Sequence, residues 1–310
     1  MAVVDVGDAA MAGPRVVISH PVAVLVWGLM VMGFLVVALL VFGGGVAGAV
    51  VTLAQSSGRS PDPSVILGLI GSILGFYFVL LIGMIIIGTT ISAAAMRAVL
   101  DPGYGGFAYL RFGRQELWMM LALFVQALVI AGVEIVVSIP VSILTIASGA
   151  GMGNGGEIGA ALAVRLVGQL LVYVAAIWVW IRLSMAAPMT FVEGRFRLFE
   201  SWDMTKGHAG SIFLTFLIVG VVTFVLYIVV AVLGVAIGAA TLTGSPMLAN
   251  PKAFFSQPAA AWMIGLGPLA LVILVFGTVI AGLANTFNYA ALARLYRQLN
   301  PDSDAASAFT

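Results

Sequence analysis

Long apolar runs broken by short polar punctuation run through the chain and predict six helices. The first extends from about Pro21 to Gln55 and stops at Ser56-Ser57-Gly58-Arg59-Ser60-Pro61. The second opens at Pro63, a residue suited to the first helical position, and ends near Leu100, before Asp101-Pro102-Gly103. The third covers about Glu116 to Ser148 and the fourth about Ile158 to Met189, with a glycine-rich stretch from Gly149 to Gly156 between them. The fifth covers about Ala209 to Thr243, and the sixth runs from Pro258, just after Ser256, to Leu299. Every run exceeds the roughly 20 residues that cross a bilayer, so all six read as transmembrane helices, tilted or with protruding ends. The expected fold is therefore all-α and polytopic, with a six-helix domain over residues 20–300. Residues 1–19 read as a flexible cytoplasmic stretch and 301–310 as a disordered tail.

Basic residues set the expected orientation, because Lys and Arg are retained on the cytoplasmic side. One face collects Arg15, Arg97, Arg111, Arg114, Arg182, Arg195, Arg197, Lys206, Arg294 and Arg297, ten of the 13 basic residues. The other face has Arg59 and Lys252, with Arg165 just inside a helix. Both termini are thus expected in the cytoplasm. The short outer connections then divide the helices into three hairpins, and the two longer cytoplasmic connectors share a plan of aromatics mixed with basic residues.

Composition sharpens the class. The chain is 310 residues long, 62% hydrophobic and only 8% charged. A soluble domain carries about 25% charged residues, so the solvent here is lipid. With no cysteine there are no disulfides, thiolate metal sites or cysteine nucleophiles, and two histidines do not make a histidine-rich metal site. A net charge of +1 gives no basic surface for nucleic acid. Asp5 and Asp8 occupy the place of a positive signal-peptide n-region, so the first apolar run reads as an uncleaved span. No cofactor is expected.

The connectors carry the most specific pattern. The first runs from Arg97 to Trp118 and holds Leu110-Arg111-Phe112-Gly113-Arg114 and Glu116-Leu117-Trp118. The second holds Arg182-Leu183-Ser184, Ala187-Pro188, Val192-Glu193-Gly194 and Ser201-Trp202-Asp203-Met204-Thr205-Lys206-Gly207. With Leu295-Tyr296-Arg297-Gln298-Leu299 at the end of the last helix, these motifs resemble a group of bacterial six-helix integral membrane proteins. That group is similar to the membrane domain attached to some glycerophosphoryl diester phosphodiesterases. The resemblance spans about residues 20–300 and implies a six-helix fold in a bacterial inner membrane. It implies no reaction, and with no phosphodiesterase domain attached neither that activity nor any catalytic residue carries over. Read from the residues alone, both connectors are interfacial, with aromatics in the headgroup layer and basic groups toward anionic lipid. The bland account is a juxtamembrane anchor; the sharper one is a docking site for lipid or for a protein at the cytoplasmic face.

Candidate chemistry inside the spans is sparse. No His-Glu-x-x-His, no Gly-x-Ser-x-Gly and no intramembrane Asp occurs, so acid–base or nucleophilic catalysis lacks its players, and an enzyme is disfavoured. The spacing Gly151-Met152-Gly153-Asn154-Gly155-Gly156 matches a dinucleotide fingerprint by accident, since it joins two spans rather than a strand and a helix. Glu134 and Arg165 are intramembrane charges, and a charge in lipid needs a partner. In an antiparallel pair of helices they differ in level by about 11 Å, which makes Gln169 the better match for Glu134. Asn285 and Asn288 add amides one turn apart on the last helix. These five form either an interhelical clamp or the lining of a solute pathway. Glycine pairs four residues apart, Gly44/Gly48, Gly71/Gly75 and Gly234/Gly238, fit close helix packing within one chain, a homodimer seam being the alternative. The leading expectation is a non-enzymatic membrane module that organises or regulates lipid or protein partners through its connectors. The rival is a transporter or channel built on the intramembrane polar residues.

Overall fold

The computed structural model describes residues 4–55, 63–147, 158–243, 245, 250 and 259–301, and all regular structure among them is helical. Six helices are long and apolar enough to cross a membrane. In chain order the elements are α1 (Val6–Ala10), α2 (Ala12–Ser19), α3 (Pro21–Gln55) and α4 (Pro63–Leu100). A 3₁₀ turn at Phe107–Tyr109 and α5 (Arg114–Ala147) follow, then α6 (Ile158–Leu183), α7 (Ala186–Glu193) and α8 (Glu200–Met204). The last two are α9 (Ala209–Leu242) and α10 (Ala259–Leu299).

Three features depart from the sequence-based expectation. Residues expected to be a flexible N-terminal stretch form α1 and α2. The Asp5 carboxylate accepts from the Asp8 N–H at 2.9 Å and holds the first turn, and the apolar Ala12 and Val16 are buried. The fourth span does not run unbroken to Met189. It stops at Leu183 and restarts at Ala186, because Pro188 has no N–H for the Ser184 carbonyl and its ring crowds that turn. The third span starts two residues early, at Arg114, for a capping reason given below. The glycine-rich stretch 149–156 lies outside the described residues, as does the tail beyond Pro301.

The chain divides into two compact units. The first comprises Met1–Ala9, Phe112–Phe216 and Leu292–Thr310. In it α5 and α6 lie against each other, with Val141 of α5 packed onto Gly168 of α6. A buried cluster of Val179, Leu183, Ala186 and Leu198 joins α6, α7 and the segment before α8 to Val125, Val129 and Val133 of α5. In the same unit α1 is tied to the end of α10: Arg294 Nε meets Asp8 Oδ2 at 2.5 Å, and Gln298 Oε1 accepts from the Asp5 N–H at 3.1 Å.

The second unit comprises Ala10–Arg111 and Leu217–Ala291. Its core gathers Val24, Trp27 and Val31 of α3, Ile91, Ala94, Ala95 and Ala98 of α4, Tyr109, and Ala290 of α10. Trp27 is completely buried. The buried positions of α4 all lie from Thr89 to Leu100, the end that leads into the first connector. The spanning helices have 26 to 41 residues, about 39 to 62 Å at 1.5 Å per residue. A hydrocarbon layer is only about 30 Å thick, so each helix is longer than a crossing requires, and α4 concentrates its packing at one end.

Candidate functional site: the two connectors

The first connector is pinned from below by buried polar side chains. Ala108 and Tyr109 both adopt the left-handed backbone, with φ of 50° and 58°. Such a conformation costs a non-glycine residue of order 1–3 kcal/mol, so it persists only where neighbours impose it. Trp27 Nε1 donates to the Ala108 carbonyl at 2.9 Å, and Nη1 of the buried Arg97 donates to the Tyr109 carbonyl at 2.6 Å. The Arg97 guanidinium also lies 5.2 Å from the centre of the Tyr104 ring. The Tyr109 hydroxyl shares a 3.2 Å hydrogen bond with His20 Nε2, and the two rings meet edge to face at 5.1 Å. Burial, reinforced by the nearby Asp101 carboxylate, raises the Tyr109 hydroxyl above its ordinary pKa of 10.0. The tightly held turn pushes Phe107 outward, 73% exposed, and Arg111 and Phe112 follow it on the surface.

The connector ends in a cap. Gly113 supplies the carbonyl that accepts from the Leu117 N–H, and Glu116 Oε2 reaches back to accept from the Gly113 N–H at 2.8 Å. This is the returning half of a capping box, and it explains why α5 begins at Arg114 and why a glutamate is buried at that point. Arg114 is exposed and Trp118 half-buried.

The second connector is organised around Arg182. Its guanidinium lies 5.8 Å from the Trp178 ring centre and 5.5 Å from that of Trp202, and the two indoles meet edge to face at 5.0 Å. Arg182 Nη1 donates to the Thr205 carbonyl at 3.2 Å. The Arg182 carbonyl accepts from Ser201 Oγ at 2.8 Å and from Thr205 Oγ1 at 3.4 Å. Ser201 Oγ in turn accepts from the Met185 N–H at 3.1 Å, so one buried hydroxyl bridges the break between α6 and α7. Buried Thr190 ties α7 to the following loop by accepting from the Arg197 N–H at 3.1 Å. Gly194 closes α7 in the left-handed conformation, φ 63°, and Gly207 does the same before α9 with φ 78°. Gln115 of the first connector packs beside Gly194.

The charged groups lie on the outside of this frame. Glu193 bridges Arg195 and Arg197 at 2.8 and 2.9 Å, and Arg197 also reaches Glu200 at 3.2 Å. Lys206 pairs with Asp203 at 2.9 Å, both well exposed. Such surface pairs contribute at most about 1 kcal/mol, so the fold of the connector rests on Arg182, Ser201 and Thr205. Phe199 projects with 68% of its surface exposed, and Pro188 is buried.

The intramembrane residues fare differently. Glu134, Arg165 and Gln169 are exposed on their helices, and no hydrogen bond or ion pair among the described residues joins them. Asn285 and Asn288 donate to the carbonyls of Ala281 and Ala284 in their own helix at 3.1 and 2.9 Å. The clamp expected between Glu134 and Gln169 is therefore not formed, because α5 and α6 present those positions outward while Val141 and Gly168 take the contact between them. Among the described residues no group of three His, Asp or Glu side chains converges as a metal site would.

In the second connector Arg182, Trp202 and Thr205, which stand in one sequence motif, meet in the structure. Sequence reasoning missed His20, Trp27 and Tyr109, and it read Arg97 as one more basic flank. A tryptophan inside the first apolar span and an arginine one turn before the end of the second were the available signals. No protein-family model, curated protein or solved structure matches this chain.

Proposed function

We propose that this is a non-enzymatic inner-membrane protein of the bacterial six-helix group, with both termini in the cytoplasm and its spans paired as three hairpins. Each connector offers aromatic and basic side chains on the cytoplasmic face to anionic lipid headgroups or to a protein held there. The observation that carries this reading is the Arg182 centre of the second connector. Cation–π contacts to two tryptophans and the buried Ser201 and Thr205 bonds hold a short loop in one shape. A loop that only joined two spans has no need of such a frame. The second connector exposes Phe199, Arg195 and Lys206, and the first exposes Phe107, Phe112, Arg111 and Arg114. Exposed aromatics next to basic groups match a membrane interface, where the ring enters the headgroup layer and each cation contributes about 1 kcal/mol near an anionic surface. The resemblance of the connector motifs to a membrane domain that elsewhere accompanies an enzyme supports the organising role. The transporter reading finds no such support, since its polar residues are not brought together.

The test is mass spectrometry of the chain extracted from its native membrane in lipid-preserving particles. Wild type is expected to retain a defined anionic lipid or protein, and Arg195→Ala with Lys206→Ala to lose it while the helical content stays the same. Identical retained components in both samples would overturn the reading. These two side chains are exposed, so their removal leaves the Arg182 frame in place.

A further inference from the structure

The turn in the first connector is strained, and the strain is confined to two residues. Gly106 before it and Leu110 after it are extended, with φ of −76° at both, while Ala108 and Tyr109 stand at φ 50° and 58°. An L side chain in the left-handed region is disfavoured, for alanine by about tenfold in population. Glycine escapes this penalty, yet the glycines of this stretch stand at 103, 105 and 106 and not at 108 or 109.

Two bonds hold the pair in place, and they come from different helices. Trp27 Nε1 of α3 donates to the Ala108 carbonyl at 2.9 Å, and Arg97 Nη1 of α4 donates to the Tyr109 carbonyl at 2.6 Å. Both donors belong to completely buried side chains, so neither can follow the turn outward. The two carbonyls are on adjacent residues, so both bonds form together only while α3 and α4 keep one position along each other. That position is set by the core cluster of Val24, Trp27 and Val31 with Ile91, Ala94 and Ala95. On another side the turn is not packed: an open cavity lies between residues 107–109 and residues 19–23, which leaves the backbone room to relax.

We propose that residues 106–110 form a two-state latch, held while α3 and α4 keep this register and relaxed when one span shifts along the other. Strain of this kind persists only where neighbours impose it, and it is characteristic of switch segments. In the relaxed state Ala108 and Tyr109 return to extended backbone and their carbonyls turn from Trp27 and Arg97 to water. Phe107, 73% exposed in the held state, then leaves its outward position. Bilayer thickness is the input. With 35 residues in α3 and 38 in α4, both are longer than a crossing requires, and a thinner layer tilts them by different amounts. The output is whether the first connector offers Phe107 to the headgroup layer. That consequence rests on the proposed role of the connectors, whereas the latch itself does not. Lipid or protein retention at Arg195 and Lys206 tests the role, and the state of the turn tests the latch, so each can fail alone.

The chain has no cysteine, so Phe107→Cys carries a single trifluoromethyl tag whose fluorine resonance reports the turn. The full chain is placed in lipid nanodiscs of myristoleoyl, oleoyl or erucoyl phosphatidylcholine. Two resonances are expected, the held one gaining about fivefold on the relaxed one from the thinnest bilayer to the thickest. In oleoyl lipid, Ala108→Gly removes strain and leaves both donors in place, so it is expected to raise the held fraction severalfold. Ala108→Val puts a branched side chain where the left-handed region excludes it, and Trp27→Phe removes one bond while keeping a ring. Each is expected to lower the held fraction about tenfold. One resonance unmoved by Ala108→Gly and by bilayer thickness would overturn the latch, whatever the other two variants do to the fold. A ratio that follows the variants but not the thickness would overturn its coupling to the spans.

Discussion

At the scale of single residues, the connectors depend on a few side chains whose importance lies in where they are buried. Tyr109 is the clearest. Its backbone is left-handed, its carbonyl is held by Arg97 and its ring is enclosed beside His20. Burial and Asp101 together favour the neutral phenol in the folded chain, so its pKa stands above 10.0 there. As pH rises past 10.0 the unfolded chain gives up this proton first, and the folded chain then holds more protons than the unfolded one. Stability from this group is thus present in full below pH 10 and is lost between 10 and the raised folded value. Thermal unfolding in detergent at pH 8 and pH 11 is expected to show a larger drop for wild type than for Tyr109→Phe. Equal drops would remove Tyr109 from the account. Nothing in the sequence announces this residue: the left-handed turn uses alanine and tyrosine although glycines stand at 103, 105 and 106, so local propensity points elsewhere. The second connector was more legible, because Ser201, Trp202, Thr205 and Gly207 combine a short hydroxyl-rich helix with a glycine needed at positive φ.

At the scale of elements, the six long apolar helices could be read directly, since about 20 consecutive apolar residues have few alternatives in water. Which faces meet could not, because hydropathy is nearly uniform around a lipid-embedded helix. The glycine pairs show the difference. Among the described residues no atom from outside the local helix backbone lies within 4 Å of where a side chain would begin on Gly44, Gly48 or Gly71, whereas Gly234 and Gly238 do pack closely. The tightest approach involves glycines that form no such pair: Gly28 of α3 abuts the Thr278 carbonyl of α10, and Gly282 of α10 abuts the Val24 carbonyl of α3. At both points the neighbour is backbone, which cannot swing aside as a side chain does. Gly28→Ala is therefore expected to separate α3 from α10 at a cost of about 1–3 kcal/mol or more, seen as a lower midpoint of thermal unfolding. Gly44→Ala and Gly71→Ala gain helix propensity with nothing to displace and are expected to be neutral or stabilising by up to about 1 kcal/mol. The reverse ranking would mean that these contacts do not govern packing. The same uniformity misled the reading of Glu134 and Gln169: matched in level, they are set on outward faces.

At the scale of the whole molecule, the proposed orientation came from counting ten basic residues on one face, and the structure gives several of those residues other work. Arg97 is buried under the first connector, Arg182 lies between two indoles, and Arg294 is paired with Asp8. These partners do not weaken the topological argument, because basic residues act on orientation during insertion, before the folded contacts exist. The chain has no cysteine, so a single introduced thiol reports its own location without background. Asp203 precedes α9 and Thr243 follows it, both exposed and separated by a 34-residue helix about 51 Å long. Asp203→Cys breaks only a surface ion pair with Lys206, and Thr243→Cys only a hydroxyl bond to the Ala240 carbonyl, so neither disturbs the fold appreciably. In cells whose membrane is sealed, a membrane-impermeant maleimide is expected to label position 243 at once and position 203 only after permeabilisation. Labelling of 203 from outside would invert the molecule and place the connectors away from the cytoplasm. Labelling of both from one side would mean that α9 does not cross.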